Sequence, residues 1–176
     1  MKKVMVFGGS NSKTSINKKL AIYAASFLKN TAIEVVDLNN FPLPLFGVDI
    51  EEEQGIPMEA YNFNEKLKEV DGFIISLAEH NGSYTVAFKN LLDWVSRINV
   101  KVWKDKPMLL LSTSPGVRGG KSVLENAKNR FPYLGAQIIS TFSLPSFSDN
   151  FNNDKITDEF LNDDLIELVI MFETVL

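Results

Sequence analysis

Four hydroxyl side chains, Ser10, Ser12, Thr14 and Ser15, fall within six residues, directly after the apolar run 4–7 and the pair Gly8-Gly9. A hydroxyl-rich turn that opens into a helix gathers neutral donors beside the free N–H groups of the helix's first turn, where the helix dipole favours an anion. The chemistry this offers is phosphate binding without a dedicated cation. Capping a helix needs one hydroxyl, so four exceed that task. The dinucleotide fingerprint G-x-G-x-x-G is absent, because Ser10 and Lys13 stand where its second and third glycines belong. A Walker A loop is absent too, with Phe7 and Ser12 in its glycine positions ahead of Lys13-Thr14.

Two further loops have similar character. Residues 78–83 read Ala-Glu-His-Asn-Gly-Ser and residues 112–120 read Ser-Thr-Ser-Pro-Gly-Val-Arg-Gly-Gly, each at the end of an apolar run. In an open parallel sheet such turns collect at the carboxyl ends of the strands, where ligands bind. The elements that must position them are legible as alternation: apolar runs at 4–7, 33–36, 72–77 and 108–111, and a fifth within 134–142, separated by helix-like stretches. Continuous apolarity in the runs predicts strands covered on both faces.

Ile16, Leu20, Tyr23, Ala24, Phe27 and Leu28 keep a helical period, as do Tyr84, Phe88, Leu91, Leu92 and Val95, and later Leu161, Leu165, Leu168, Val169, Phe172 and Leu176. Pro57 suits the first turn of a helix to about Lys68, and 119–130 makes another. Five strands and five helices with the hydroxyl loop after the first strand predict an α/β, flavodoxin-like three-layer sandwich: a five-stranded parallel sheet in the order 2-1-3-4-5 with helices on both faces.

The chain has 176 residues with 45% apolar content, enough for one core, and 1–176 is expected to be a single domain. A net charge of -4 with scattered Lys and Arg argues against nucleic acid as a partner. Without cysteine there is no disulfide, thiolate metal site or thiol nucleophile, which suits a cytoplasmic protein. The apolar run after Met1-Lys2-Lys3 ends at Gly8, too short for a secretory leader, and no run approaches a membrane span. Glu51-Glu52-Glu53 reads as a solvated loop rather than a metal site.

Several motifs occur in a distinctive order: Gly9-Ser10 with Ser15-Ile16-Asn17 and Leu20, Leu43-Pro44-Leu45-Phe46 with Asp49, Glu79-x-Asn81-Gly82-Ser83, Lys89-Asn90-x-x-Asp93-Trp94-x-Ser96-Arg97, and Ser114-Pro115-Gly116-x-x-Gly119-Gly120. Over about residues 3–140 the chain resembles the NADPH-dependent FMN reductases, which include quinone, azo-dye and chromate reductases. The resemblance implies that Ser10, Ser12, Ser15 and Asn17 bind the phosphate of FMN, Ile16 contributing its N–H. Glu79, His80, Asn81, Gly82 and Ser83 would wrap the isoalloxazine, chiefly through main chain, and Ser114, Pro115 and Gly116 would line its pyrimidine side. Gly82 would let the chain approach the ring closely. Ser12 stands where the family often has Arg, and Ala78 and His80 stand where it usually has Pro and Tyr.

The implied activity is hydride transfer from NADPH or NADH through FMN to a small acceptor such as a quinone, flavin, azo compound or metal oxyanion, in a ping-pong cycle. FMN carries that chemistry, so no catalytic side chain and no metal are called for. Neither a nucleic acid nor a membrane is an expected partner, and a homodimer or homotetramer is. Phe46 and Ile50, in the connection 41–57, either border the reactive face or belong to an ordinary packed connection. Lys89 and Asp93 are spaced to pair across one helical turn. His80 could stack on the flavin, tune its potential or touch a substrate; the favoured reading is an exposed loop side chain. Two other readings stay open: a flavodoxin-like one-electron carrier, disfavoured because Lys13 replaces a glycine of the carriers' phosphate loop, and a non-flavin nucleotide binder on the same fold.

Overall fold

The computed structural model describes residues 1–176. Five strands form the central sheet: β1 (Lys2–Gly9), β2 (Thr31–Val35), β3 (Gly72–Leu77), β6 (Lys106–Thr113) and β7 (Ala136–Leu144). Two short antiparallel ribbons complete the strand count, β4 (Glu79–His80) with β5 (Ser83–Tyr84) and β8 (Phe151–Asn152) with β9 (Lys155–Ile156). The sheet runs β2-β1-β3-β6-β7 with every pairing parallel, which is the expected order 2-1-3-4-5 once the ribbons are set aside.

Helices α1 (Ile16–Ala25), α2 (Val48–Gln54), α3 (Met58–Lys68), α4 (Val86–Ile98), α5 (Lys121–Arg130) and α6 (Phe147–Asn150) lie in the connections between strands, and α7 (Glu159–Glu173) follows the last strand. Because successive strand side chains point to opposite faces, the continuous apolar runs divide between two cores. Met5, Phe7, Phe73, Ile75, Met108 and Leu110 pack with α3, α4 and α5. Val4, Val6, Ile74, Leu109 and Leu111 pack with α1 and α7. The three layers follow from that division. No helix is long and apolar enough to cross a membrane.

The structure departs from the sequence reading in four places. β2 is an edge strand paired with β1 alone, and Ile33 and Val35 remain 44% and 45% exposed, so its apolar run is not covered on both faces. Glu51-Glu52-Glu53 lies in helix α2 rather than a loop, and the Glu51 carboxylate accepts from Arg97 Nε at 2.9 Å. Pro57 is the residue before α3 rather than inside its first turn. In α1 the buried residues are Asn17, Leu20, Ala21, Ala24 and Ala25, while Ile16 and Tyr23, with Phe27 and Leu28 just past the helix, are only partly buried against the core.

Lys18 on α1 pairs with Asp37 just beyond β2 at 2.6 Å, and Asp37 also accepts from Asn39 N–H at 2.9 Å. Lys18 first, and Asn39 second, hold the Asp37 carboxyl below its ordinary range against the opposing effect of burial. A depressed carboxyl stabilises the fold above its unfolded value, about 3.9, and that contribution is lost as pH falls through the folded value. Asp37→Asn is therefore expected to cost about 1 kcal/mol at neutral pH, with the difference from wild type vanishing at strongly acid pH. Urea unfolding across pH checks this, and a cost that grows with acidity would contradict it.

Tyr84 packs its ring against Phe88 and Phe131, but its hydroxyl is buried without a partner, and burial pushes its pKa up to about 12. Tyr84→Phe removes only the unpaired group. Stability is expected to stay level or rise by up to about 1 kcal/mol; a clear loss in the unfolding midpoint would reveal a partner for the hydroxyl.

Candidate functional site

The three loops meet at the carboxyl ends of β1, β3 and β6, and one side chain holds them there. Asn17, in the first turn of α1, is 2% exposed. Its Oδ1 accepts from Ser76 Oγ at 2.7 Å and from Thr113 N–H at 3.0 Å, and its Nδ2 donates to the Thr113 carbonyl at 3.1 Å. The amide thus ties the start of α1 to the ends of β3 and β6. Close approach reinforces the tie: a Cβ on Gly8 would stand 2.6 Å from the main-chain nitrogen of Lys18. Only glycine lets the strand end lie against the helix.

Ser15 caps α1, its hydroxyl accepting from Lys18 N–H at 3.1 Å, and the Ser10 hydroxyl accepts from Ser12 N–H at 3.1 Å. The first-turn N–H groups of Ile16 and Asn17 have no partner within the helix, as for any helix start.

Residues 79–84 form the β4–β5 ribbon, whose turn places Asn81 at φ 50° and Gly82 at φ 76°, a pair of left-handed residues matched to a two-residue hairpin. Glycine suits position 82 through this φ alone, since a Cβ there would meet nothing nearer than Ser122 at 4.0 Å. Alternation gives the ribbon two faces. Glu79 and Tyr84 stand opposite one another, as do His80 and Ser83. The Glu79 carboxylate accepts from Val123 N–H at 2.9 Å, so it occupies the otherwise unpaired first turn of α5 and anchors the ribbon to that helix. Asn126 adds a bond to the Gly82 carbonyl at 3.0 Å.

The third loop is fixed from below and from the side. Ser112 Oγ donates to the Gly119 carbonyl at 2.7 Å, while the carbonyls of Ser114 and Gly116 accept from Phe147 and Ser146 N–H, each at 3.0 Å.

Between the loops lies a cavity of about 310 Å³ whose walls include Ser10, Ser12, Ser15, Ile16, Asn17, Glu79, His80, Ser114 and Pro115. Thr14, Ala78 and Thr113 complete the wall. Asn81, Gly82, Ser83 and Gly116 sit on the same loops but outside it. Neither Lys nor Arg lines the cavity. Hydroxyls and free helix-start N–H groups at one end, with main chain of two loops at the other, form a donor set that fits a phosphate joined to a flat polar ring, and so fits FMN.

The connection from β2 to α3 lies outside this cavity. Phe46 and Ile50 pack against the core, Phe46 edge-on to Trp94 at 5.0 Å between ring centres. Asn90 and Trp94 both donate to the Pro44 carbonyl, at 3.0 and 2.8 Å, and Asn90 accepts from Phe46 N–H at 2.8 Å. The packed-connection reading holds for both residues, and Lys89 pairs with Asp93 at 2.6 Å as its spacing indicates. The Lys-Asn-x-x-Asp-Trp motif is thus partly a clamp on a distant loop.

Sequence reasoning missed the framework role of the Asn17 amide and the Glu79 bond to α5, and it named Ala78 and Thr113 only as members of their loops rather than as walls of the cavity. A signal existed for Asn17 alone: it begins the 17-20-21-24 stripe that α1 buries.

The sequence profile described as NADPH-dependent FMN reductase matches residues 2–149. An NADPH:quinone oxidoreductase of Arabidopsis thaliana is 36% identical over 124 residues, 68% of this chain and 62% of that protein. A quinone reductase of Escherichia coli K12 is 29% identical over 142 residues, 78% of this chain and 73% of that protein. Among solved structures, the flavoenzyme NAD(P)H:(acceptor) oxidoreductase FerB from Paracoccus denitrificans superposes with a TM-score of 0.76 at 25% identity, covering 99% of both chains.

Asn17→Ala would leave the Ser76 hydroxyl and the Thr113 N–H and carbonyl buried without partners. The expected cost is about 2–4 kcal/mol in urea unfolding, and a loss below about 0.5 kcal/mol would show that the tie carries little of the site's rigidity.

Proposed function

The chain belongs to the NADPH-dependent FMN reductase family, and from that membership we propose that it holds FMN in the cavity between its three loops and passes reducing equivalents from NADPH or NADH to a small acceptor. The observation that carries this reading is the convergence of the hydroxyl loop, the β4–β5 ribbon and the 114–116 turn on one cavity, all within the matched segment.

In this reading Ser10, Ser12, Thr14 and Ser15 offer hydroxyls to the phosphate, with the N–H groups of Ile16 and Asn17 completing the cradle. Glu79, His80, Asn81, Gly82 and Ser83 present main chain to the isoalloxazine, and Ser114, Pro115 and Gly116 flank its pyrimidine side. Bound FMN supplies a hydride acceptor at N5 and passes the reducing equivalents onward. The protein's own work is to bind, orient and keep the loops rigid, which the bonds of Asn17, Glu79 and Ser112 accomplish.

The nicotinamide and the acceptor use the same open side in turn, which makes the cycle ping-pong. Quinones are the acceptors of first choice, given the relatives' names; free flavins, azo compounds and metal oxyanions share the same requirement of access to the ring. Leu45, Val48 and Val86, 68%, 60% and 70% exposed, present apolar surface suited to self-association in a homodimer or homotetramer. A cytoplasmic location accords with the absence of cysteine.

Titration of the purified protein with FMN, followed by steady-state oxidation of NADPH and NADH against a 1,4-benzoquinone, tests this. Saturable FMN binding, turnover on the order of 1–10³ s⁻¹ and parallel double-reciprocal lines are expected. A protein that ignores FMN overturns the cofactor assignment, and one that binds FMN yet barely consumes nicotinamide is a carrier instead.

A further inference from the structure

We propose that Arg118 reads the 2′-phosphate of NADPH, so that the protein favours NADPH over NADH. The inference rests on the proposed function, since it assigns a role toward the nicotinamide co-substrate.

Charge is unevenly placed along this chain. Its net charge is -4, yet the loops 10–15, 78–83 and 114–120 and the first residue of α5 carry Lys13, Arg118 and Lys121 against a single carboxylate, Glu79. That carboxylate is already committed to Val123 N–H at 2.9 Å. All three cations are exposed, and none is paired with a carboxylate. A cavity mouth of this sign draws an anionic co-substrate toward the opening. None of the three lines the cavity itself, so they are placed for the part of a co-substrate that extends beyond it.

Arg118 alone of the three is oriented by a side-chain hydrogen bond, from its Nη2 to Ser122 Oγ at 3.0 Å. Ser122 stands beside the ribbon turn: a Cβ on Gly82 would lie 4.0 Å from the Ser122 Cβ, and Asn126, one helical turn further on, donates to the Gly82 carbonyl at 3.0 Å. The guanidinium is thereby held at the ring end of the cavity, between the 81–82 turn and the 114–116 turn. Lys13 belongs to the hydroxyl loop at the other end. The backbone at Arg118 is fixed as well, because Gly119 N–H bonds to the Gly116 carbonyl at 3.1 Å and a Cβ on Gly119 would stand 2.5 Å from Ser143 Oγ and 2.7 Å from the Leu144 carbonyl oxygen. The chain is wedged against β7 directly after Arg118.

NADPH and NADH differ only in the 2′-phosphate, a monoester that carries between one and two negative charges near neutral pH. A guanidinium offers five N–H donors in a planar fork that matches phosphate oxygens. Ser122 takes one donor, which sets the plane of the group and leaves the others for the anion. Arginine beside the adenosine ribose is a general device for accepting the phosphorylated form of the cofactor.

Titration calorimetry and steady-state kinetics on the FMN-loaded protein test this together. Wild type is expected to bind adenosine 2′,5′-bisphosphate about tenfold more tightly than adenosine 5′-monophosphate, and to show a KM for NADPH about tenfold below that for NADH. Arg118→Gln should remove both differences by weakening the 2′-phosphorylated ligands alone, with kcat unchanged. Arg118→Lys, which keeps the charge but not the fork, should recover part of the loss. Added salt should narrow the difference in wild type. Lys29→Gln, which removes an exposed charge just before β2 at the opposite end of the sheet, should leave all four ligands as they are. A wild type that treats NADPH and NADH alike overturns the inference, as does an Arg118→Gln variant whose KM rises equally for both; either result leaves the proposed function standing. A wild type that cannot be loaded with FMN, or that oxidises neither nicotinamide, overturns the proposed function and the inference with it.

Discussion

A buried side-chain amide sets the geometry of the sheet edge where the three loops meet. Asn17 satisfies a hydroxyl and both main-chain groups of a strand residue, linking α1, β3 and β6 through three hydrogen bonds. Buried polar groups in such a position must be paired or they cost more than they contribute, so the amide admits essentially one arrangement of the elements it joins. The hydroxyl loop, only six residues long between β1 and α1, inherits that arrangement. Thr85 repeats the device on the other side, its hydroxyl donating to the Gly9 carbonyl at 2.9 Å while accepting from Phe88 N–H.

The two-residue period of extended chain acts at two scales. In the central sheet it sorts one continuous apolar run into two cores and so requires helices on both sides. In the four-residue β4–β5 pairing it sorts Glu79 and Tyr84 from His80 and Ser83. The first pair is committed to α5 and the aromatic core; the second is left for the solvent-facing side. One backbone regularity therefore both builds the scaffold and separates the ribbon's anchored side chains from its exposed ones.

The strands, their order and the meeting of three loops were legible because they follow from periodicity and from where parallel sheets place their connections. The pairing of Lys89 with Asp93 was legible from helical spacing alone. What escaped was set by contacts distant in sequence. Nothing near Glu79 shows that its carboxylate reaches residue 123, and nothing near Asn17 shows that Ser76 and Thr113 await it. The helix over Glu51-Glu52-Glu53 escaped for a related reason: an acidic run has weak apolar pattern, and its tie to Arg97 spans 46 positions. The exposed outer face of β2 was implied by the expected order 2-1-3-4-5, which puts that strand at the edge, although its apolar composition alone suggested cover on both faces.

The clamp on Pro44 has a consequence for how the protein can diversify. An indole and a carboxamide from α4 grip one carbonyl, and the same carboxamide holds the N–H two residues on, so the backbone on either side of Leu45 is immobilised while Leu45 itself projects outward. Position 45 is a pinned pedestal: evolution can exchange what it displays without disturbing the path of the chain beneath it.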